Sequence, residues 1–499
     1  MSALGIVAVL EASVNGRAVP LTTVRHAHVA ERPLVLIPLV LAGEACAPIA
    51  ALLGSDRDRP ELLIVPRPKN RTDRFRFAAD LADLLLPYFE SFTTTSEIYT
   101  AGRSSTREER KRHLDAPQLI VPNPGGSSFL RLLGRSTRYR STDGPYAVDR
   151  SVPRLGQWLT WIGDQSEFPT SSLLLPLTKV LRAHWATGQS PTEDGNLAAL
   201  LGWIAPPEGM DGYGAALLAE DPARFPPAGP TTDPVFDRTL SELYQRINEA
   251  TTEQHHALAE RQLRHSLLTQ LELTWQQMWQ SVDLLRALPA GRSVAVRWQA
   301  DRTAFTAYAA YLADGGLPQA RRDHAAGAAR RLARLEDANI RYARDRAFDD
   351  PLLMAEFELL GEAVTGTITS ADATRTLPGK RGTLLRPMIT LTVPGPGRLV
   401  PGTTVLSPTR PKQNAVVLAV RPLQDGRSEI DLELTNGMGK AKVPAPGSVP
   451  SLGELLCYTT LAAFTLPPAL PDEASTPWTH GGPPTPYQPT NDDANEAWE

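Results

Sequence analysis

VFDRTLSELYQRINEATTEQHHALAERQLRHSLLTQLELTWQQMWQSVDLLRAL, residues 235–288, contains neither glycine nor proline. The rest of the chain is rich in both, with 36 Gly and 45 Pro among 499 residues. Proline breaks a helix interior and glycine weakens one, so a stretch free of both and fenced by Pro234 and Pro289 predicts a single helix. At ~1.5 Å per residue it would reach about 80 Å, longer than a small domain is wide. Such a helix is a stalk.

Within it, apolar residues fall at Leu240, Leu243 and Ile247, then at Leu267, Leu271, Trp275, Met278, Val282 and Leu285. The second set alternates steps of four and three, the spacing of a seam that packs against another helix. Thr303–Leu312 and Gln319–Phe348 also read as helices, separated by Asp314-Gly315-Gly316-Leu317-Pro318. Residues 234–360 are therefore expected to form a long-helix stalk within an antiparallel bundle.

Upstream of the stalk, residues 1–154 read as a mixed α/β head. Gly5–Leu10 and Leu34–Leu41 look like buried strands, Ala45–Leu53 like a short helix, and Arg74–Phe92 carries a helical apolar rhythm. Leu62-Leu63-Ile64-Val65-Pro66-Arg67-Pro68 and Leu119-Ile120-Val121-Pro122-Asn123-Pro124 echo one another. Each is an apolar strand ended by Pro-x-Pro, which stops ladder pairing and turns the chain outward. If the two strands are parallel neighbours, both loops leave the sheet at the edge where α/β proteins bind ligands. Residues 155–233 form a small helical region rich in Trp, closed by the Pro-rich linker Pro222–Pro234.

Downstream the grammar changes. Val364–Thr369, Met388–Val393, Thr403–Leu406, Ala415–Val420 and Glu429–Leu434 are short β-prone runs between Gly, Pro and Asn, which predicts a five-stranded barrel over 361–450. Leu452–Phe464, within 451–470, reads as a docking helix. The acidic, Pro-rich tail 471–499 is expected to be disordered, with Trp478, Tyr487 and Trp498 as possible anchors. The fold class is thus multidomain: an α/β head, an all-α stalk and a small β-barrel.

Net charge is −4, spread unevenly. Met1–Leu155 carries 21 basic against 16 acidic residues, and Gly156–Leu240 carries 4 against 10. Arg outnumbers Lys by 44 to 7, which points to a GC-rich genome rather than to selection for phosphate recognition. Cys46 and Cys457 are the only cysteines, too few and too far apart for a disulfide framework or zinc spacing, which points to the reducing cytoplasm. The N-terminus lacks a secretory pattern, and Pro38, Glu44 and Pro48 interrupt the apolar stretch Leu34–Gly54, so no membrane segment is expected.

No catalytic motif stands out. Gly437-Met438-Gly439-Lys440-Ala441 and Pro378-Gly379-Lys380-Arg381 lack the remaining P-loop residues and read as hairpin turns. Asn123-Pro124-Gly125-Gly126-Ser127-Ser128 is not a dinucleotide fingerprint, although its amides could hold an anion at a helix N-terminus. His256 and Glu260 can share one helix face, but two ligands do not make a catalytic zinc site. Asp56, Asp58 and Glu61 loosely suggest a nuclease acid cluster. The strand that follows is wholly apolar and lacks the lysine this chemistry wants. Neither a metal nor a cofactor is called for.

Basic clusters remain. Arg67, Lys69, Arg71, Arg74 and Arg76 follow the first Pro-x-Pro, interleaved with Phe75 and Phe77. Arg131, Arg135, Arg138 and Arg140 follow the second, with Phe129 and Tyr139. Lys380, Arg381, Arg386, Arg410 and Lys412 lie in the barrel region. Cations against phosphate with aromatics against bases is how single strands are gripped. The bland alternative pairs the head arginines with Asp73, Asp80, Asp83 and Asp143. The arginines of 321–346 are interleaved with acids and read as a solvated helix face.

The order of parts, a helical stalk, a small barrel and a short helix over Val235–Phe464, resembles the region before the motor in superfamily-one helicases of the RNA-surveillance and immunoglobulin-mu-binding type. Pro401-Gly402-Thr403-Thr404-Val405 and Val416-Val417-Leu418-Ala419-Val420, within Leu391–Leu434, are similar to that barrel's strand pattern. The chain also looks like actinobacterial helicase-associated proteins. In the helicases a P-loop motor follows, and none follows here. The resemblance implies a barrel that faces nucleic acid and transfers no catalytic residue.

Three functions are open to such a chain. The first is a non-catalytic nucleic-acid-binding subunit, for DNA or RNA, of a separately encoded helicase or ATPase, with antiphage defence as a setting. The second is a protein scaffold organised by the long helix and the tail. The third is an enzyme, nuclease or nucleotide-binding, in the N-terminal region.

Overall fold

The computed structural model describes residues 2–44, 47–102, 107–379, 382–439, 443–461 and 469–478. The chain divides into two compact units, Gly5–Asn339 with Ala469–Glu499, and Met1–Leu4 with Ile340–Pro468.

The first unit is built on a five-stranded sheet. Its strands are β1 (Leu34–Val40), β2 (Pro48–Gly54), β3 (Glu61–Ile64), β4 (Leu119–Val121) and β5 (Leu174–Pro176). The spatial order is β3-β2-β1-β4-β5, antiparallel across β1, β2 and β3 and parallel across β1, β4 and β5. All seven residues of β1 are buried, because both faces of the sheet are covered. The period-two alternation sorts them. Leu34 and Leu36 join one core, and Val35, Ile37 and Leu39 join the other.

Twelve helices are present among the described residues. In chain order the first seven are α1 (Ala3–Asn15), α2 (Arg71–Ser91), α3 (Pro124–Thr137), α4 (Ser151–Gln165), α5 (Leu177–Arg182), α6 (Leu197–Ile204) and α7 (Gly212–Ala219). The remaining five are α8 (Pro234–Glu249), α9 (Glu253–Ala287), α10 (Arg292–Ala313), α11 (Ala325–Asp349) and α12 (Pro351–Leu360). Helices α2, α3, α4 and α10 cover the first face of the sheet, through Phe77, Leu81, Leu85, Leu130, Leu133, Trp158, Leu159 and Phe305. Helices α5, α6, α8 and α9 cover the second.

The expected single stalk helix is two helices, and neither is a stalk. The chain breaks at Ala250, whose backbone is extended, and restarts at Thr252, whose side chain accepts from the His255 amide as an N-cap. Helix α8 then folds back along α9, burying Leu240, Leu243 and Ile247 beside Ala259 and Leu263. The seam of α9, from Leu267 to Leu285, packs on β1 and β2, with Leu267, Leu271, Met278 and Val282 fully buried. Each such side chain removed from water contributes about 1.5–3 kcal/mol. The antiparallel bundle expected around α9 is therefore replaced by a sheet, with α10 on its opposite face.

Other local expectations are also corrected. Gly5–Leu10 lies in helix α1, where the small residues Gly5, Ala8 and Ala12 make the packed face. Residues 48–53 are strand, not helix; burial between β1 and β3 outweighs alanine's helix preference. The segments 45–46, 380–381, 440–442, 462–468 and 479–499 lie outside the described residues, and with them Cys46, Lys380, Arg381, Tyr487 and Trp498. The start of the tail is ordered rather than disordered. Trp478 packs on His324 with ring centroids 3.8 Å apart and planes tilted by 33°, the Ala325 amide donates to the Pro477 carbonyl, and Glu473 pairs with Arg330.

In the second unit the barrel is closed and has six strands rather than five. They are β6 (Ala363–Asp372), β7 (Met388–Val393), β8 (Thr404–Ser407), β9 (Arg410–Pro422), β10 (Ser428–Leu434) and β11 (Leu455–Thr459), ordered β6-β7-β10-β9-β8-β11 and antiparallel throughout. The sixth strand is the segment expected as a docking helix. Its alternation buries Leu456 and Tyr458, and Tyr458 donates its hydroxyl to Gln413 at 2.8 Å inside the barrel. Pairing with both β6 and β8 closes the sheet and removes its free edges.

Candidate nucleic-acid interface

Strands β3 and β4 run in the same direction but are separated by β2 and β1, so they are not neighbours. Their Pro-x-Pro segments nonetheless leave the same edge of the sheet. The first leads into α2, capped by Asn70, whose side chain accepts from the Asp73 amide at 3.1 Å. The second leads into α3, capped by Asn123, whose Oδ1 accepts from the Gly126 amide at 3.2 Å.

The anion-binding reading of Asn123–Ser128 meets an occupied site. Asn123 itself caps the helix, and its Nδ2 donates to the Gly229 carbonyl at 2.6 Å. Pro230 lies so close that a Cβ on Gly125 would sit 2.7 Å from its ring. The Val40 amide donates to the Pro230 carbonyl at 2.8 Å. The linker thus covers the sheet edge between β1 and β4, where an α/β protein would otherwise open its ligand crevice.

The two basic clusters meet on the side of this edge. Arg71 stacks over Phe75 at 4.5 Å and donates to the Tyr146 carbonyl at 2.9 Å. Arg140, from beyond α3, lies over the same ring at 5.4 Å and donates to the Ser136 carbonyl. Arg67 holds Asp73 through two hydrogen bonds, Nε–Oδ2 at 2.8 Å and Nη2–Oδ1 at 3.1 Å. That carboxylate raises the Arg67 pKa, mainly through the hydrogen bond. Arg74 is buried, donating to the Pro68 carbonyl and to Glu44 at 2.7 Å. Lys69 and Arg76 are exposed, and Arg67 extends half its side chain into solvent. Arg71 and Arg140, one from each cluster, thus share the Phe75 ring, while Arg67 pairs with Asp73, Arg74 pairs with Glu44, and the Arg76 charge acts on Asp80.

The other sequence candidates hold the protein together. Arg131 pairs with Glu167, Arg135 with Asp164 at 3.6 Å, and Arg331 bridges both carboxylates at 3.2 and 2.6 Å, tying α3, α4 and α11 together. Arg138 is buried and donates to the carbonyls of Gln319 and Arg135, and burial lowers its pKa. In the barrel, Arg410 grips Glu454 in a two-pronged pair at 2.8 and 2.9 Å. Arg386 lies 3.8 Å from Glu433 and donates to the carbonyls of Leu385 and Thr435, while Lys412 is exposed. Asp73, six residues from Arg67, is a partner the sequence had offered. Glu44, Asp164, Glu167 and Tyr146 arrive from distant segments, and nothing local signals them.

Asp56 and Asp58 sit in the β2–β3 turn, where Arg57 pairs with Asp283 of α9 at 2.5 Å. His256 and Glu260 stand 3.9 Å apart on the exposed side of α9. Among the described residues no three His, Cys, Asp or Glu side chains form a group able to hold a metal. No helix among them is long and apolar enough to cross a membrane. Comparison with protein-family models, with curated proteins and with solved structures finds no match for this chain.

Proposed function

We propose that the chain is a non-catalytic nucleic-acid-binding protein working beside a separately encoded helicase or ATPase. One observation carries the binding half of this reading: Arg71 and Arg140, from the two basic clusters, meet over Phe75 at the start of α2, where Arg67, Lys69 and Arg76 are exposed in the same segment. Asp73 and Glu44 pair with Arg67 and Arg74, and the Arg76 charge acts on Asp80. A phosphate backbone passing this rim would meet Lys69, Arg76 and the outer part of Arg67 without breaking a buried ion pair. That costs far less than uncovering Arg138 or Arg74. The partner half rests on the closed barrel alone, since sheet-packed helices and a sixth strand stand where a stalk and a docking helix were expected.

The test is a gel shift of the full chain with single-stranded and duplex DNA and RNA at ~0.15 M salt, a concentration at which weak electrostatic binding is screened. A retarded species is expected. No shift with any of them, either alone or with a co-expressed motor, removes the reading.

A further inference from the structure

From Thr187 to Asp221 the chain carries six carboxylates and not one Lys, Arg or His. This segment contains α6 and α7, which pack against each other through small residues; a Cβ on Gly202 would sit 2.7 Å from that of Ala215. One of the six, Asp194, is buried and satisfied by Thr187 at 2.7 Å, Gln189 at 2.9 Å and Arg182 at 3.4 Å. The others, Glu193, Glu208, Asp211, Glu220 and Asp221, are exposed.

Between α6, α7 and the loop before them lies a pocket of about 390 Å³. Trp203 lines it, 1% exposed, and its indole Nε1 has no hydrogen-bond partner among the described residues. A buried N–H left without an acceptor is costly, and native proteins rarely tolerate one. Tyr213 meets the Trp203 ring edge-on at 4.7 Å and is itself half exposed, and Leu217, one turn further along α7, is 69% exposed. Glu193 and Glu220 stand at the mouth. Glu193 is held in place by the Ser190 amide at 2.6 Å, a bond that keeps its carboxyl below the usual range.

We infer that this pocket is a docking site for a protein segment that presents an apolar side chain flanked by Lys or Arg. Leu217 and Tyr213 supply apolar contact at the pocket. The carboxylates at the rim select cations. The same carboxylates repel phosphate, so this surface is separate from the basic rim at α2. The inference does not rest on the nucleic-acid reading.

The experiment uses the full chain and two fluorescein-labelled helical peptides of equal length, one alternating Leu with Lys and Arg, the other with Glu in place of every cation. Anisotropy should show the cationic peptide bound and the acidic one at least about tenfold weaker. Leu217→Ser, at an exposed position, should weaken binding about tenfold, and the pair Glu193→Gln with Glu220→Gln about threefold or more. Melting temperature checks that each variant is folded. The inference is overturned if neither peptide binds, if both bind alike, or if the variants leave binding unchanged. A dimeric mass in solution that Leu217→Ser converts to monomer also overturns it, since the occupant would then be a second copy.

Discussion

The side-chain amide of Asn123 donates to the carbonyl of Gly229 at 2.6 Å while its carbonyl oxygen caps α3 at Gly126. One residue therefore fixes a helix start and fastens the linker across the edge of the sheet. Asn123→Ala loses both bonds and should cost about 1–3 kcal/mol by chemical denaturation. Asn123→Asp keeps the cap but places a carboxylate against a carbonyl. It should be no better than alanine, whereas an ordinary N-cap position would accept it freely.

Leu271 and Met278 of α9 are fully buried against β1 and β2. Truncating either to alanine should destabilise the first unit by about 2–5 kcal/mol, the range for large-to-small changes in a core. On a free stalk the same changes would have little effect. The thermal or denaturant midpoint distinguishes the two.

How far the sequence could be read is clear from α9. The period of its apolar residues was legible, and so was the burial of its seam. What could not be read was the surface that the seam faces. Leu267, Leu271 and Trp275 carry the same spacing whether they meet a helix or the flat side of a sheet. The break at Thr252 was missed because the expectation rested on Gly and Pro, while a threonine N-cap stops and restarts a helix without either. In the barrel, five strands were legible from their turns. The sixth was not, because Leu455–Thr459 is short and its β character comes from pairing with β6 and β8. The candidate interface was half legible. The arginines were visible, but the distant carboxylates Glu44, Asp164 and Glu167 that pair with Arg74, Arg135 and Arg131 were not.

Two groups with opposite shifts, Asp301 buried and His28 half-buried, sit on α10 and on the strand-leading loop it faces. Asp301 accepts from the Ser172 amide at 2.7 Å, and burial pushes its pKa up to about 7, opposed in part by that bond, Ser171 and Arg297. His28 stacks on Trp298 at 3.9 Å, and burial pushes its pKa down to about 4, with Asp115 opposing the shift and Arg25 adding to it. Folded Asp301 keeps a proton that the unfolded chain releases, so its contribution to stability falls as pH rises from 3.8 to 7. Unfolded His28 takes a proton that the folded chain refuses, so its contribution rises with pH from 4 to 6.5. The slopes, each about 1.4 kcal/mol per pH unit at most, oppose one another across the shared window. Asp301→Asn should leave stability rising between pH 4 and 6.5, and His28→Gln should leave it falling. Parallel denaturation series in that range check both signs.

Tyr458 closes the barrel core with its hydroxyl on Gln413. Tyr458→Phe leaves the amide oxygen of Gln413, itself buried, without this donor and should cost about 1 kcal/mol. The loss should appear in the unfolding of the second unit and leave the first unit's transition unmoved.

The salt dependence of nucleic-acid binding tests the central claim most directly. Anisotropy of a labelled single strand is followed against salt concentration for the native chain and for the double variant Lys69→Gln with Arg76→Gln, two exposed positions outside the buried ion pairs. Each phosphate contact on a single strand contributes about 0.7 to the slope of log K against log salt, so the account predicts a slope shallower by about 1.4 with weaker binding. An unchanged slope, or no binding by the native chain at ~0.15 M salt, would contradict it.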